Sequence, residues 1–132
     1  LTTPNTNVEL QAIVTASNNL ITPPPYIANF DFGNPTLGAT SYFQEPYFQA
    51  TTGGVAVSLP ASPVFFILIQ NLHATAILRV TVTPTGQAAS ASTYGPGGVV
   101  IFFDPLETGG GFTALTLTGL VSTVPAFVMV GA

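Results

Sequence analysis

The chain predicts an all-β fold, a single antiparallel β-sandwich of jelly-roll or immunoglobulin-like type with about eight strands. Three observations carry that expectation. With 12 Pro and 13 Gly in 132 residues, no window long enough for a globular helix escapes a breaker or a β-branched cluster. The segments between these breakers are rich in Val, Ile, Phe, Tyr and Thr, which suit a pleated, half-buried surface. Several segments alternate apolar and polar residues with the period of two that a strand requires. No internal repeat marks a solenoid or propeller, and the length suits one domain that buries about two-thirds of its unfolded surface.

Taken in order, residues 8–15 place Val8, Leu10, Ala12 and Val14 on one mainly apolar strand face. Ser17-Asn18-Asn19 and then Pro23-Pro24-Pro25 follow, and Pro has no N–H to give a ladder. Residues 1–25 are therefore expected to form an extended N-terminal arm with a Pro-rich linker, ahead of a sandwich domain at 26–132. Tyr26, Ala28, Phe30 and Phe32 line one side of a second strand, which turns at Gly33-Asn34-Pro35. Residues 42–49 are aromatic on both faces with Glu45-Pro46 in the middle, and a strand Pro points to an edge or a bulge.

Residues 55–59 alternate up to Pro60, whereas 64–69 run apolar without alternation, as a central strand covered on both faces does. Residues 71–75 read as a hairpin connection. In the strand that follows, Ala76, Leu78, Val80 and Val82 face one way and Arg79 the other. Residues 84–98 read as a small, polar, flexible loop. Residues 99–103 are apolar throughout, and Gly109-Gly110-Gly111 makes a mobile turn. Leu115 and Leu117 share a face in 113–118, and 126–130 alternate Ala126, Val128 and Val130 with Phe127 and Met129.

Charge is the scarcest property. Only 5% of residues are charged, against roughly a quarter in an ordinary soluble domain. Five acids face a single Arg and no Lys, which excludes a phosphate-neutralising surface and with it nucleic-acid binding. Absent Cys excludes disulfides, thiol catalysis and thiolate metal sites. The strongest apolar run falls far short of the roughly 20 residues of a membrane-spanning helix, and no basic segment followed by an apolar one reads as a secretory signal. A chain 47% hydrophobic with so little charge is the reverse of a disordered one. Its surface must be made of Thr, Ser, Asn and Gln, and it lacks the charge repulsion that keeps monomers apart, so neighbours are expected to cover much of it.

Candidate chemistry is sparse. His73 is the only imidazole, no nucleophile elbow accompanies it, and it reads as a turn or interface residue. Paired carboxylates would have to come from Glu9, Asp31, Glu45, Asp104 and Glu107, whose spacing compels no two of them together. Asp104 and Glu107 flank Pro105-Leu106 in a pattern compatible with a hard cation, though a solvated turn explains it as well. An ion pair of Arg79 with one of these acids would add at most about 1 kcal/mol at the surface. Tyr26, Phe30, Phe32, Tyr42, Phe43, Tyr47 and Phe48 offer rings for sugar stacking, but without Trp their spacing matches core-facing strands better. Gly95-Pro96-Gly97-Gly98 and Gly109-Gly110-Gly111 neither open a helix nor carry a Lys, and so read as turns. No catalytic residue, metal site or cofactor is expected.

The second half, FILIQNLHATAILRVTVTPTG, then YGPGGVVIFFDP, then GFTALTLTGLVSTVPAFVMVGA, resembles the small β-sandwich proteins that decorate or cement bacteriophage and other viral particles. The shared style is an I-x-N strand end, a PGG turn that opens an apolar strand, and a valine-rich final strand. The resemblance implies a non-enzymatic, many-copy structural protein of a virion or the extracellular space, with copies of itself and a larger scaffold such as a capsid as partners. In such an assembly Val8, Leu10, Ala12 and Val14 of the arm would fill pockets on a neighbour while their backbone adds a strand. Two alternatives stand beside it: a subunit of an extracellular filament or pilus joined by N-terminal strand exchange, and a secreted carbohydrate-binding module.

Overall fold

Short alternating segments closed by Gly- and Pro-bearing turns give 12 strands in the computed structural model, which describes residues 6–7, 11–18, 21–31, 36–37, 42–59, 64–104 and 109–131, with side chains from residue 44 onward. Four strands form two small ladders of their own: β1 (Thr6–Asn7) with β4 (Thr36–Leu37), and β2 (Gln11–Asn18) with β3 (Ile21–Asp31). The other eight are β5 (Tyr42–Ala50), β6 (Val55–Ala56), β7 (Phe66–Asn71), β8 (Leu78–Pro84), β9 (Ser90–Tyr94), β10 (Val99–Phe103), β11 (Phe112–Gly119) and β12 (Val124–Gly131). They form two four-stranded antiparallel sheets, ordered β10-β7-β12-β5 and β6-β11-β8-β9.

The order of pairing identifies the architecture. Among these eight strands the first pairs with the last (β5 with β12), the second with the seventh (β6 with β11), the third with the sixth (β7 with β10) and the fourth with the fifth (β8 with β9). This is one long hairpin rolled on itself, so that β12 also meets β7 and β11 also meets β8. The sandwich is a jelly roll, not an immunoglobulin-like one.

Alternation fills the space between the sheets. Val124, Ala126, Val128 and Val130 of β12 and Ile67 and Ile69 of β7 meet Leu78, Val80 and Val82 of β8 and Leu115 and Leu117 of β11, all essentially removed from water. Phe102 closes the β10 side with its ring edge-on to Phe112 at 5.7 Å, a favoured aromatic geometry. Val64 bridges to Phe112 just ahead of β7, with Phe112 N–H donating to Val64 O at 2.8 Å.

Pro46 meets both expectations for a strand Pro. Strand β5 is a sheet edge, and its register slips between Phe48 opposite Ala126 and Glu45 opposite Val128, so Pro46 lies in the bulge. The three prolines behave likewise: β3 runs from Ile21 to Asp31, and its ladder to β2 jumps from Tyr26 opposite Ala16 to Ile21 opposite Asn18. Pro23-Pro24-Pro25 thus occupy an interruption in a hairpin, and the expected division after residue 25 falls within this strand.

Several expectations are corrected. Residues 84–98 are not one loop, because they contain β9; its small Ser and Ala residues are exposed and bury nothing that would show as a pattern. Residues 71–75 do not form a hairpin, since β7 and β8 lie in different sheets and the connection crosses between them. The run at 99–103, apolar throughout, is an edge strand. The Gly turn is pinned: Asp104 Oδ2 accepts from Gly111 N–H at 3.1 Å, Thr85 Oγ1 donates to Gly110 O at 2.8 Å, and Thr85 N–H donates to Gly111 O at 3.0 Å.

Candidate assembly surfaces

The strand alternation that fills the core also dictates what each sheet shows outward, and the two outer faces differ. On β8 and β11 the outward positions are Arg79, Thr81 and Thr83 with Ala114, Thr116 and Thr118, and register lines up Thr118, Arg79 and Thr93 in one row and Thr116, Thr81 and Ala91 in the next. That face is a lattice of hydroxyls and methyls with one cation. Arg79 is exposed, between Thr118 and Thr93, as the alternation required.

The opposite outer face is apolar. Inward Val100 and Phe102, Ile67 and Ile69, and Val128 and Val130 leave the intervening residues of β10, β7 and β12 pointing away from the core. Register aligns Val99, Gln70 and Phe127 in one row, Ile101, Leu68 and Met129 in a second, and Phe103, Phe66 and Gly131 in a third. Gln70 is the one polar side chain that β10, β7 and β12 place in these rows, and Gln44 of β5 continues the second row beside Met129. Val99 and Ile101 are 51% and 43% exposed, while Leu68, Phe127 and Met129 are half-buried. Phe66 is buried although it lies outside the cluster between the sheets. The unalternating run at 64–69 is therefore explained: Val64, Ile67 and Ile69 fill the core, while Phe66 and Leu68 belong to the apolar outer face.

A second apolar patch lies at one end of the sandwich, where the β7–β8 connection meets the β11–β12 turn through Leu120 N–H donating to Ile77 O at 3.2 Å. Ile77, Leu72, Leu120 and Val121 are all exposed there, Val121 by 84%.

Beneath this end sits a polar node, in the segment whose sequence reads as a hairpin connection. Asn71 is 1% exposed, and its Nδ2 donates to Ala76 O at 2.8 Å and Tyr94 O at 3.0 Å while its Oδ1 accepts from His73 N–H at 2.9 Å. Its backbone completes the set with Asn71 N–H to Gly98 O at 2.9 Å and Gly97 N–H to Asn71 O at 3.0 Å. One amide thus ties the end of β7 to β9 of the other sheet and to the turn before β10. In that turn Pro96 precedes Gly97 at φ 75° and Gly98 N–H donates to Gly95 O at 2.9 Å, a type II arrangement that requires Gly at the third position. The signal in the sequence was Asn directly after an apolar strand, the I-x-N strand end.

His73 belongs to this node. Its Nδ1 accepts from Thr75 N–H at 3.0 Å and Ala76 N–H at 2.8 Å, which places the ring proton of the neutral tautomer on Nε2 and gives the imidazole a turn-capping task.

Of the arm residues, Ala12 and Val14 lie on β2 with Cα partners Phe30 and Ala28, while Val8 and Leu10 fall outside the described residues. Of the acids, Glu45 is exposed on β5, Asp104 holds Gly111 and Asp31 ends β3, whereas Glu9 and Glu107 fall outside the described residues. Among the aromatics, Phe48 is core and Tyr47 is 71% exposed; Tyr26, Phe30, Tyr42 and Phe43 lie on strands, and Phe32 falls outside the described residues. Among the described residues no group of three or more His, Cys, Asp or Glu is placed to hold a metal ion, and no helix is long and apolar enough to cross a membrane. No protein-family model, curated protein or solved structure matches the chain.

Proposed function

We propose that the chain is a non-enzymatic structural subunit of a viral particle, a capsid decoration or cement protein or a related virion component, which self-assembles in many copies against a larger scaffold. The observation that carries this reading is the apolar outer face of the β10-β7-β12-β5 sheet, where Val99, Ile101, Leu68, Phe127 and Met129 stand on a surface with almost no charge to keep copies apart. An outer face that shows Val99 and Ile101 to water beside half-buried Leu68, Phe127 and Met129, in a chain this poor in charge, is what an assembling subunit needs. The Thr-rich opposite face is suited to remain in water. Jelly rolls build viral shells but also lectins and enzyme scaffolds, so the fold supports this reading by analogy alone.

A filament subunit is the second reading, favoured by one observation: β2 and β3 form a ladder separate from both sheets, as an arm that reaches a neighbour would. The two readings differ in symmetry, a closed or lattice assembly against open helical repetition. Electron microscopy of the concentrated full chain tests both. Shells, rings or sheets support the virion reading, helical fibres support the filament, and isolated particles of single-chain size overturn both. Glycan binding by a stable monomer, lost on Tyr47→Ala, would replace them with the carbohydrate-binding module.

A further inference from the structure

Each sheet of the sandwich ends in two edges, and the four edges are unequally protected. Strand β5 carries Pro46, a bulge and the exposed Glu45, which together spoil strand addition. Strand β6 is two residues long, and β9 shows exposed Ser, Ala and Thr with little apolar area to bury. Strand β10 has none of these devices: Val99-Val100-Ile101-Phe102-Phe103 contains no charge, Pro or Gly, and its ladder to β7 is unbroken.

Hydrogen-bond register decides which backbone groups this edge offers. Asn71 N–H donates to Gly98 O and Asp104 N–H donates to Phe65 O, so in this antiparallel ladder Gly98, Val100, Phe102 and Asp104 turn their backbone groups toward β7. Val99 and Ile101 turn theirs toward the edge that no described strand pairs, and both side chains are exposed on the outer face. Phe103 has an interaction of its own and is left out of the pairing.

We propose that β10 is a self-complementary edge that pairs antiparallel with β10 of a second copy across a two-fold axis at Val100. This deepens the assembly reading above and rests on it. In that register Val99 exchanges both backbone hydrogen bonds with Ile101 of the second copy and Ile101 does the same with Val99, which makes four bonds and joins two sheets into one of eight strands. Val99 then packs beside Ile101 of the other copy on the outer face, a cross-strand apolar pair. A second copy is the fitting occupant for two reasons. The register closes on itself, and neither β10 nor its neighbour β7 contains a charge, so identical edges meet without repulsion. A ladder of this length buries less than the roughly 1,000 Å² of a free-standing dimer, so the contact shows as concentration-dependent association.

The register also designs the test. The N–H of Ile101 points to the open edge, so Ile101→Pro spares the β7 ladder and removes a donor the second copy needs. Ile101→Lys places two ammonium groups on one face a diagonal step apart across the two-fold axis, where they repel. Sedimentation velocity of the full chain from about 10 μM to about 1 mM, the range of weak complexes, should show wild-type mass rising from 13.6 kDa toward at least twice that value. Both variants should hold the single-chain mass with unchanged circular dichroism, and Tyr47→Ala on the guarded edge should associate like wild type. If Ile101→Pro does not fold, Ile101→Lys decides. Variants that associate like wild type overturn the β10 pairing and leave the assembly reading standing, whereas a wild type that stays at one-chain mass throughout overturns both.

Discussion

Replacing Asn71 by Ala removes three side-chain hydrogen bonds at a site sealed from water. Each is of ordinary length, 2.8 Å to Ala76 O, 3.0 Å to Tyr94 O and 2.9 Å from His73 N–H, and the residue is 1% exposed, so solvent does not replace them. At a net value of about 1 kcal/mol per bond, and with two carbonyls and one amide left without their partner, the loss is about 3 kcal/mol, within a range of about 2–4. A chain of this length unfolds with an entropy of about 0.28 kcal/mol/K, so each kcal/mol lowers the melting temperature by about 4 °C and the whole substitution by about 11 °C. Thermal unfolding followed by circular dichroism, with a urea titration to confirm an unchanged m value, gives the number directly. Asn71→Asp should fare worse, because it turns carboxylate oxygen on the carbonyls of Ala76 and Tyr94. A fall of less than about 3 °C for Asn71→Ala would mean that the node contributes less than a single bond, and the account of how the sheet ends are tied would be wrong.

Other consequences follow from the same packing. A Cβ on Gly119 would lie 1.9 Å from Ser122 O and 2.8 Å from Ala50 O, both backbone atoms, so Gly119→Ala should lower stability by more than about 3 kcal/mol in a denaturant titration, and by more than Asn71→Ala. His73→Ala removes the acceptor of two backbone N–H groups in a part-exposed turn; about 1–2 kcal/mol is expected, and combined with Asn71→Ala the losses should fall short of additivity in a double-mutant cycle. Met129→Lys changes a half-buried outer-face residue in the middle of the β10-β7-β12 rows; its melting temperature should move little while self-association in light scattering drops sharply. Ala12→Asp together with Val14→Asp places charge on β2, and if the arm docks on neighbours the assemblies seen by electron microscopy should shorten or vanish.

What the sequence discloses about this fold is local, and what it withholds is pairing. Alternation at Ala126, Val128 and Val130 matches the inward face of β12, and Pro46, which reads as an edge or a bulge, lies at both. Residues 99–103 carry the same uninterrupted apolar signature as 64–69, yet one run is an edge and the other an interior strand. The pattern records how many faces of a strand are apolar, not how many neighbours it has. Strand β9 is silent because Ser90–Tyr94 is held by backbone pairing to β8 and buries only part of Tyr94. The choice between jelly-roll and immunoglobulin-like topology was closed to sequence reasoning for a related reason: it depends on contacts such as β5 with β12, separated by most of the chain. Asn71 was visible as a residue and not as a node, since its partners come from three separate segments.

The central claim is that this nearly uncharged surface is built to be covered by other copies through apolar contact. Molar mass from multi-angle light scattering on the full chain, measured at one high concentration in low salt and again in about 1 M salt where the Debye length falls to about 3 Å, tests it most directly. Association that persists or strengthens at high salt is predicted, because no long-range charge attraction holds the copies together. A mass of 13.6 kDa under both conditions, or an assembly that salt dissolves, would contradict it.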